Sequence, residues 1–171
     1  MADIVSFWLV PTYDTRVWFA GHIDRLAERF GTAKFEPHLT VHSGPANQVA
    51  SPASVLAESA FELEPITLRP VRLAHSAEFT KTLYVEFNLE QALLDLSIKL
   101  RDRVPSDYVL RPHMSLLYHH LTEEEREELM QTIDLPDEEV RFEVIQAVKC
   151  PAVHQTMDDV RSWQILEEWR L

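Results

Sequence analysis

Two pairs of polar residues with the same local pattern are the part of this sequence that could do chemistry. His38 and Thr40 lie in a Pro-His-Leu-Thr segment, and His113 and Ser115 lie in a Pro-His-Met-Ser segment. Histidine is the side chain whose ordinary pKa lets neutral and protonated forms coexist near pH 7. One histidine could take a proton from an attacking water while the other gives a proton to a leaving oxygen. The two hydroxyls could donate hydrogen bonds to phosphate oxygens as negative charge builds there.

The context of these two motifs separates them from chance matches. The pattern His-x-Thr/Ser occurs four times, so the spacing alone is a weak signal. Thr122 is predicted to cap an acidic helix, and His154 lies in a polar segment predicted to be a loop. His38 and His113 each follow a proline and lead into apolar residues, a pattern typical of a strand. On a strand the imidazole and the hydroxyl of each motif would share one face. The alternative is that both histidines are ordinary strand residues without a catalytic role.

A metal site is the main chemical alternative. His38 and His42 are spaced so that a helix could place both on one zinc, but on a strand they would lie about 13 Å apart. Cys150 is the only cysteine, which excludes a cysteine-based site, whereas a histidine site assembled from distant segments stays open. We expect catalysis without a metal or another cofactor. For His42 the sequence allows contact with substrate, an effect on the pKa of His38, or exposure to solvent, and we favour exposure.

Composition and charge favour a globular enzyme with a small ligand. The chain has 171 residues, of which 46% are hydrophobic and 26% charged, and no apolar run approaches the roughly 20 residues that span a bilayer. The start of the chain lacks a basic segment, so we expect no secretory signal and a cytoplasmic protein without membrane contact. The net charge of −12 disfavours a long nucleic acid. Lys81 and Arg111 could counter a phosphate, but the sequence does not position them.

The elements that must hold the motifs are strands and helices in mixed order. Apolar and β-branched runs predict strands at residues 4–10, 35–42, 66–73, 82–87, 111–118, 140–149 and 161–169. Helical periodicity and capping signals predict helices at residues 14–30, 47–59, 91–104 and 122–132. The two motif histidines stand 75 residues apart, close to half the chain, which favours an internal duplication. We expect one α+β domain over residues 1–171, made of two pseudo-symmetric lobes, rather than a doubly wound fold.

The two motifs with their flanks resemble the paired signatures of the two-histidine (2H) phosphoesterases. The similar segments are Pro37-His38-Leu39-Thr40-Val41 and Pro112-His113-Met114-Ser115-Leu116-Leu117-Tyr118. Within that superfamily the chain looks most like the cyclic phosphodiesterases of nucleoside 2′,3′-cyclic phosphates and ADP-ribose 1″,2″-cyclic phosphate. The resemblance covers most of the chain. It implies a bilobal fold with two antiparallel sheets facing a central cleft, helices outside, and hydrolysis that leaves the phosphate on the 2′ or 1″ oxygen.

The resemblance also implies roles for seven residues. Four match catalytic positions, namely His38, Thr40, His113 and Ser115. Three match aromatic residues near the substrate, namely Tyr118, Trp8 and Phe79. By the resemblance alone, His113 is the base for water and His38 is the acid. Tyr118 follows His113 by an odd number of residues, so the strand must bend or end there if Tyr118 is to face the cleft.

Two other functions stay open at this point. Relatives in the superfamily act on 2′,3′-cyclic phosphates or 2′,5′ linkages at RNA ends, although the acidic balance of this chain disfavours a long RNA. A non-catalytic module that only binds a nucleotide is the third possibility, and the intact histidine and hydroxyl pairs disfavour it. We therefore expect a monomeric hydrolase whose partner is a small nucleotide cyclic phosphate, with RNA ends as the alternative substrate.

Overall fold

The computed structural model describes residues 2–171 and contains eight strands and five α-helices in those residues. The strands are β1 (Asp3–Pro11), β2 (Leu39–Pro45), β3 (Ile66–Leu68), β4 (Pro70–His75), β5 (Leu83–Phe87), β6 (His113–Leu117), β7 (Val140–Pro151) and β8 (Gln164–Arg170). The helices are α1 (Tyr13–Phe30), α2 (Pro52–Ala60), α3 (Gln91–Arg103), α4 (Glu123–Met130) and α5 (Met157–Arg161). No helix in the described part of the chain combines the length and apolar character needed to cross a membrane.

Two antiparallel sheets organise the molecule, which confirms the predicted α+β class. The larger sheet has the order β2-β1-β7, and the far side of β7 pairs first with β3 and then with β8. The smaller sheet has the order β4-β5-β6. The first motif leads into β2 and the second begins β6, so each motif lies at the edge of a different sheet. The division into two pseudo-symmetric lobes stays a prediction.

One hydrophobic core joins both sheets and holds the two motif strands in place. Along β1, Phe7 and Leu9 point into this core, whereas Ser6 and Trp8 line a cavity on the other face. This alternation follows from the two-residue period of a strand. Behind the motifs, Leu39 and Met114 are fully buried. Burial of each such side chain contributes about 1.5–3 kcal/mol, so the apolar face of each strand anchors its polar face.

Helix ends follow their sequence signals closely. Gly31 ends α1 in the left-handed conformation, with φ of 62°, as its position predicted. Thr122 and Glu125 form the predicted capping box of α4, which ends two residues earlier than expected, at Met130. Ser51 caps α2 and Pro52 is its first residue, so the predicted helix at 47–59 is instead a 3-10 turn at Ala46–Gln48 followed by α2.

The predicted strand at residues 66–73 is wrong as a single element. Ile66–Leu68 pairs with β7 in the larger sheet, and Pro70–His75 pairs with β5 in the smaller one. Proline has no N–H to donate to a ladder and fixes its own φ, so the chain changes sheets at Arg69 and Pro70. The Asn88 side chain accepts a hydrogen bond of 2.7 Å from the Arg69 N–H and secures this crossing.

A β-bulge in β2 overturns the expectation that His42 faces solvent. Phe7 of β1 pairs with His42, but the next residue, Trp8, pairs with Thr40, so Val41 is an extra residue in the ladder. The extra residue reverses the alternation, and His42 turns to the core, where it is 1% exposed. Its Nε2 donates a 2.7 Å hydrogen bond to the Val104 carbonyl, and burial lowers its pKa. His42 therefore ties β2 to the end of α3.

The close approach of β2 to the end of α3 gives a first testable prediction. A Cβ at Gly44 would lie 2.6 Å from Cγ1 of Val104, so Gly44→Ala should destabilise the protein by about 1–3 kcal/mol through overpacking. Gly21→Ala is the matched control, because no atom lies within 4 Å of a Cβ placed there. Gly21→Ala, inside α1, should stabilise the protein by roughly 0.5–1 kcal/mol. Urea unfolding measures both variants, and effects of the same sign would contradict this packing.

Candidate active site

A cavity between the two sheets brings the two motifs together. It has a volume of about 270 Å³, and residues of β1, β2 and β7 line one side while residues of β6 line the other. Six of the seven residues expected in the site line it, namely Trp8, His38, Thr40, His113, Ser115 and Tyr118. The two histidines lie close enough that the charge of His113 lowers the pKa of His38. The site is therefore assembled from strands that belong to different sheets.

Both histidines are held by the same local hydrogen bond. Nδ1 of His38 lies 2.7 Å from the carbonyl oxygen of Glu36, and Nδ1 of His113 lies 2.6 Å from that of Arg111. A carbonyl can only accept, so Nδ1 carries the hydrogen in each ring. In the neutral imidazole Nε2 is then the unprotonated nitrogen, available to the cavity that both rings line. Each motif thus presents one nitrogen that can accept a proton or, once protonated, donate it.

Burial keeps both imidazoles neutral in the empty site. His38 is 8% exposed, and burial lowers its pKa to about 4, opposed by the bond to the Glu36 carbonyl. Burial also lowers the pKa of His113, and Lys81 lowers it further, whereas the carboxylates of Glu86 and Glu78 raise it. Of the two rings, His38 has the more strongly lowered pKa. Which ring acts as acid and which as base stays a prediction.

The two motif hydroxyls lie beside the histidines. The hydroxyl of Ser115 donates a 2.6 Å hydrogen bond to the carbonyl of Thr80, so it must rotate before it can donate to a ligand. Thr40 is half-buried, and its carbonyl accepts a 3.1 Å hydrogen bond from the Tyr108 hydroxyl. That bond fixes the backbone of the first motif. Thr40 and Ser115 line the same cavity as the two imidazoles.

The aromatic rings at the cleft already pack on one another. The Trp8 ring stacks on His38 at 3.8 Å, and the Tyr118 ring stacks on Phe35 at 4.0 Å. Trp8 is only 7% exposed and Tyr118 only 4%. Tyr118 reaches the cleft because β6 ends at Leu117, which satisfies the geometric condition set by the sequence. These two rings line the cleft, and Trp8 supports His38.

Phe79 differs from the other expected site residues because it lies behind the cleft wall. Its ring centroid is 6.1 Å from that of Tyr118, in a small cluster with Ala33 and Val160, and it does not line the cavity. It is 7% exposed. In this position Phe79 supports Tyr118 from the far side.

Two cleft residues were missed by the sequence reasoning. Trp163, between α5 and β8, stands edge-on to Trp8, His38 and Tyr118 at centroid distances of 4.9, 5.6 and 5.8 Å. Its indole N–H donates a 2.7 Å hydrogen bond to Nε2 of His154. The sequence correctly predicts His154 in a loop, but the predicted strand at 161–169 is wrong at its start, because Arg161 ends α5 and β8 begins only at Gln164. No local pattern shows that this segment folds over the cleft. Unlike Trp8 and Tyr118, Trp163 is only half-buried.

Other chemistries find little support in the cavity. The Cys150 thiol lines it, but burial raises the pKa of that thiol to about 11, so it is protonated at neutral pH and a poor nucleophile. Within residues 2–171, no group of three or more His, Cys, Asp or Glu side chains is placed to hold a metal ion. The two histidines and two motif hydroxyls are among the groups in this cavity that can move protons or bind an oxyanion.

The depressed pKa of His38 predicts a loss of stability in acid. The unfolded chain would bind a proton at this residue below its ordinary pKa of 6.5, whereas the folded chain resists until about pH 4. The stability should therefore fall as the pH drops from 6.5 to 4, by roughly 3 kcal/mol for this residue. Urea unfolding across this range measures it. His38→Gln, which cannot titrate, should show a shallower fall, and an equal slope in both proteins would contradict the shift.

Comparisons with known proteins give a consistent answer for the fold. No protein-family model and no curated protein sequence matches the chain. Among solved structures, LigT from E. coli in its apo form matches with a TM-score of 0.63 and 16% identity over 99% of this chain and 97% of LigT. TT0787 from Thermus thermophilus matches with a TM-score of 0.63 and 15% identity over 98% of this chain and 97% of its own.

A third similar structure is Usb1 from Kluyveromyces marxianus, with a TM-score of 0.51 and 10% identity over 95% of this chain and 97% of Usb1. LigT has also been solved in complexes with 3′-AMP, with ATP and with NADP+. These identities are low, so the likeness concerns the fold. The chain has the same α+β fold as LigT, TT0787 and Usb1.

Proposed function

We propose that this protein is a metal-independent phosphodiesterase that hydrolyses a cyclic phosphodiester. The substrate is a nucleoside 2′,3′-cyclic phosphate, opened to the 2′-phosphate, or ADP-ribose 1″,2″-cyclic phosphate, opened to the 1″-phosphate. The observation that carries the proposal is the matched orientation of His38 and His113. Each ring lines one cavity, and each has its Nδ1 fixed on a backbone carbonyl. Two such rings supply the base and the acid that phosphoester hydrolysis requires.

The reaction follows from this arrangement in one displacement at phosphorus. Nε2 of His38 takes a proton from water as the water oxygen bonds to phosphorus. The bond from phosphorus to the 3′ oxygen breaks, and protonated His113 gives that oxygen its proton. The hydroxyls of Thr40 and Ser115 donate hydrogen bonds to the non-bridging oxygens as negative charge builds there. One ring gains a proton and the other loses one, and exchange with solvent restores both.

The proton on His113 arrives with the substrate. Both rings are neutral in the empty cleft because burial lowers both pKa values. A cyclic phosphodiester carries one negative charge, and an opposite charge at close range favours the protonated imidazole. At His113 the charges of Glu86 and Glu78 favour it, whereas the charge of Lys81 opposes it. Burial lowers the pKa of His38 more strongly, to about 4, and on this ground we assign the acid to His113 and the base to His38.

The nucleotide complexes of LigT support a nucleotide as the ligand of this cleft. We propose Trp163 as the ring on which the base stacks, because Trp8 and Tyr118 already have stacked partners. His154 positions that indole through the 2.7 Å hydrogen bond to its N–H. A nucleobase offers a π face to such a ring whatever its identity, so this contact gives affinity without base selectivity.

The site is complete within one chain, since both histidines and both hydroxyls come from it. This supports a monomeric enzyme. We propose that it acts in the cytoplasm, in keeping with the lone, buried and unpaired Cys150. Cyclic phosphates at RNA ends are the second candidate substrate class, because they present the same cyclic phosphodiester to the two imidazoles.

The direct test is hydrolysis of 2′,3′-cyclic AMP in EDTA, with the product identified by phosphorus NMR. We expect the 2′-phosphate. His38→Ala and His113→Ala should each lower kcat by about 10²–10⁴-fold, the usual contribution of a general acid or base. His22→Ala, in α1 and outside the cleft, is the matched control and should keep full activity. Loss of activity in EDTA, or full activity in either cleft variant, would overturn the mechanism. Turnover of an oligonucleotide alone would select the RNA-end reaction.

The stacking role of Trp163 predicts a change in KM. Trp163→Ala should raise KM for 2′,3′-cyclic AMP by about tenfold, since loss of a base-stacking ring costs about 1–3 kcal/mol. Trp163→Phe should recover part of the loss because it restores an aromatic face. Phe79→Leu serves as the comparison, since Phe79 lies behind Tyr118. A larger rise in KM for Phe79→Leu than for Trp163→Ala would return the stacking role to Phe79.

A further inference from the structure

A second cavity lies on the far side of His113 from the first. It has a volume of about 300 Å³. Its lining consists of residues from β5, from the start of β6 and from the segments before them, namely Lys81, Tyr84, Glu86, Phe87, Leu110, Arg111, Pro112 and His113. Lys81 and His113 also line the first cavity. The two cavities therefore meet at these two side chains, and a ligand in the cleft could extend into the second.

The second cavity is the place where cationic side chains gather beside the cleft. Nζ of Lys81 lies 5.1 Å from the centre of the Tyr84 ring, which holds the ammonium at the junction of the two cavities. Arg111 is exposed at the rim, directly before Pro112. Across residues 2–171, neither Lys81 nor Arg111 has a carboxylate within 4.0 Å, whereas eight other cations do.

The carboxylate that lines this cavity is already compensated. Glu86 pairs with Arg72 through both of its oxygens, and the Nη2–Oε1 distance is 3.0 Å. That ion pair is the main cause that lowers the pKa of Glu86. The second acid nearby, Glu78, is exposed to solvent and does not line the cavity. Neither Lys81 nor Arg111 is thus held in a close ion pair within residues 2–171, and an entering anion would supply one.

We propose that this cavity is a second anion subsite, which takes a phosphate group other than the one that is cleaved. The proposal rests on the phosphodiesterase function proposed above and adds a preference within it. Substrates with a further phosphate, such as a 5′-phosphate or the diphosphate of a dinucleotide, are favoured over simple nucleoside cyclic phosphates. The guanidinium of Arg111 suits two phosphate oxygens at once, and the ammonium of Lys81 acts as a point charge between the two phosphates.

This local arrangement explains how so acidic a chain could hold a polyanion. With a net charge of −12, long-range forces repel an anionic substrate. Repulsion by the distant carboxylates is weak, because solvent and salt screen it beyond about 8–10 Å. The attraction of two cations in direct contact with the ligand can therefore exceed it. Charge-assisted hydrogen bonds from two cations contribute enough to change affinity by about tenfold or more.

The test compares kcat/KM for 2′,3′-cyclic AMP with kcat/KM for its 5′-phosphorylated form. The wild-type protein should prefer the second substrate by about tenfold. Lys81→Gln should reduce this preference, and the double variant with Arg111→Gln should abolish it. Because the preference is a ratio within one variant, damage to His113 that affects both substrates cancels. Lys99→Gln, an exposed cation on α3, makes the same charge change elsewhere and should retain the preference.

No preference in the wild-type protein, or an unchanged preference in the double variant, would overturn the subsite. If neither substrate is hydrolysed, the proposed function fails, and calorimetry then tests the subsite without turnover. In that experiment the wild-type protein should bind inorganic diphosphate more tightly than inorganic phosphate, and the double variant should bind both equally. Equal affinities in the wild-type protein would overturn the subsite independently of the reaction.

Discussion

The hydrogen bond from each cleft histidine to a backbone carbonyl is the interaction on which the site depends. The bond runs from Nδ1 to the residue two positions earlier, across one proline, in both motifs. Proline fixes its own φ and holds the residue before it extended, so three consecutive residues suffice to orient the ring. Because the acceptor is a carbonyl, the tautomer is fixed as well. The strands of the two sheets bring these two oriented rings to one cavity.

The surroundings of His38 make its chemistry depend on the ligand. Trp8 stacks on the ring and Trp163 stands edge-on to it, so little water reaches the imidazole. Desolvation disfavours the charged form of the ring. The folded protein is therefore more stable at neutral pH than in acid, where this ring must be protonated. An anion beside either ring would favour the protonated form, because it would supply a counter-charge. Burial lowers the pKa of His113 as well, and there Lys81 adds to the lowering whereas Glu86 and Glu78 oppose it.

The distribution of charge separates the acidic surface from the cleft. The glutamates in the first turn of α4 are exposed and stabilise the positive end of that helix. The residues at 137–139 are likewise exposed, as expected for solvated surface. Lys81 and Arg111 stand apart from these acids at the junction beyond His113. A net charge of −12 therefore describes the outside of the protein and says little about the potential inside its cleft.

Much of the fold and the centre of the site could be predicted from the sequence. Alternation and capping signals located most strands and helices, and the two proline-histidine motifs identified four residues that line one cavity. These signals depend on residues a few positions apart, so they can be recognised from the sequence alone. Proline also marks the break between β3 and β4, but its consequence, a change of sheet, depends on partners in β7 and β5.

The sequence by itself determined which side chains could carry protons and how each ring is oriented against its own backbone. Only the tertiary structure decided which side chains surround them. The bulge at Val41 turns His42 into the core because β1 sets the register of β2. The loop with His154 and Trp163 covers the cleft although more than a hundred residues separate it from His38. Local backbone preferences reach only neighbouring residues, whereas register, burial and loop position are set by packing between distant segments.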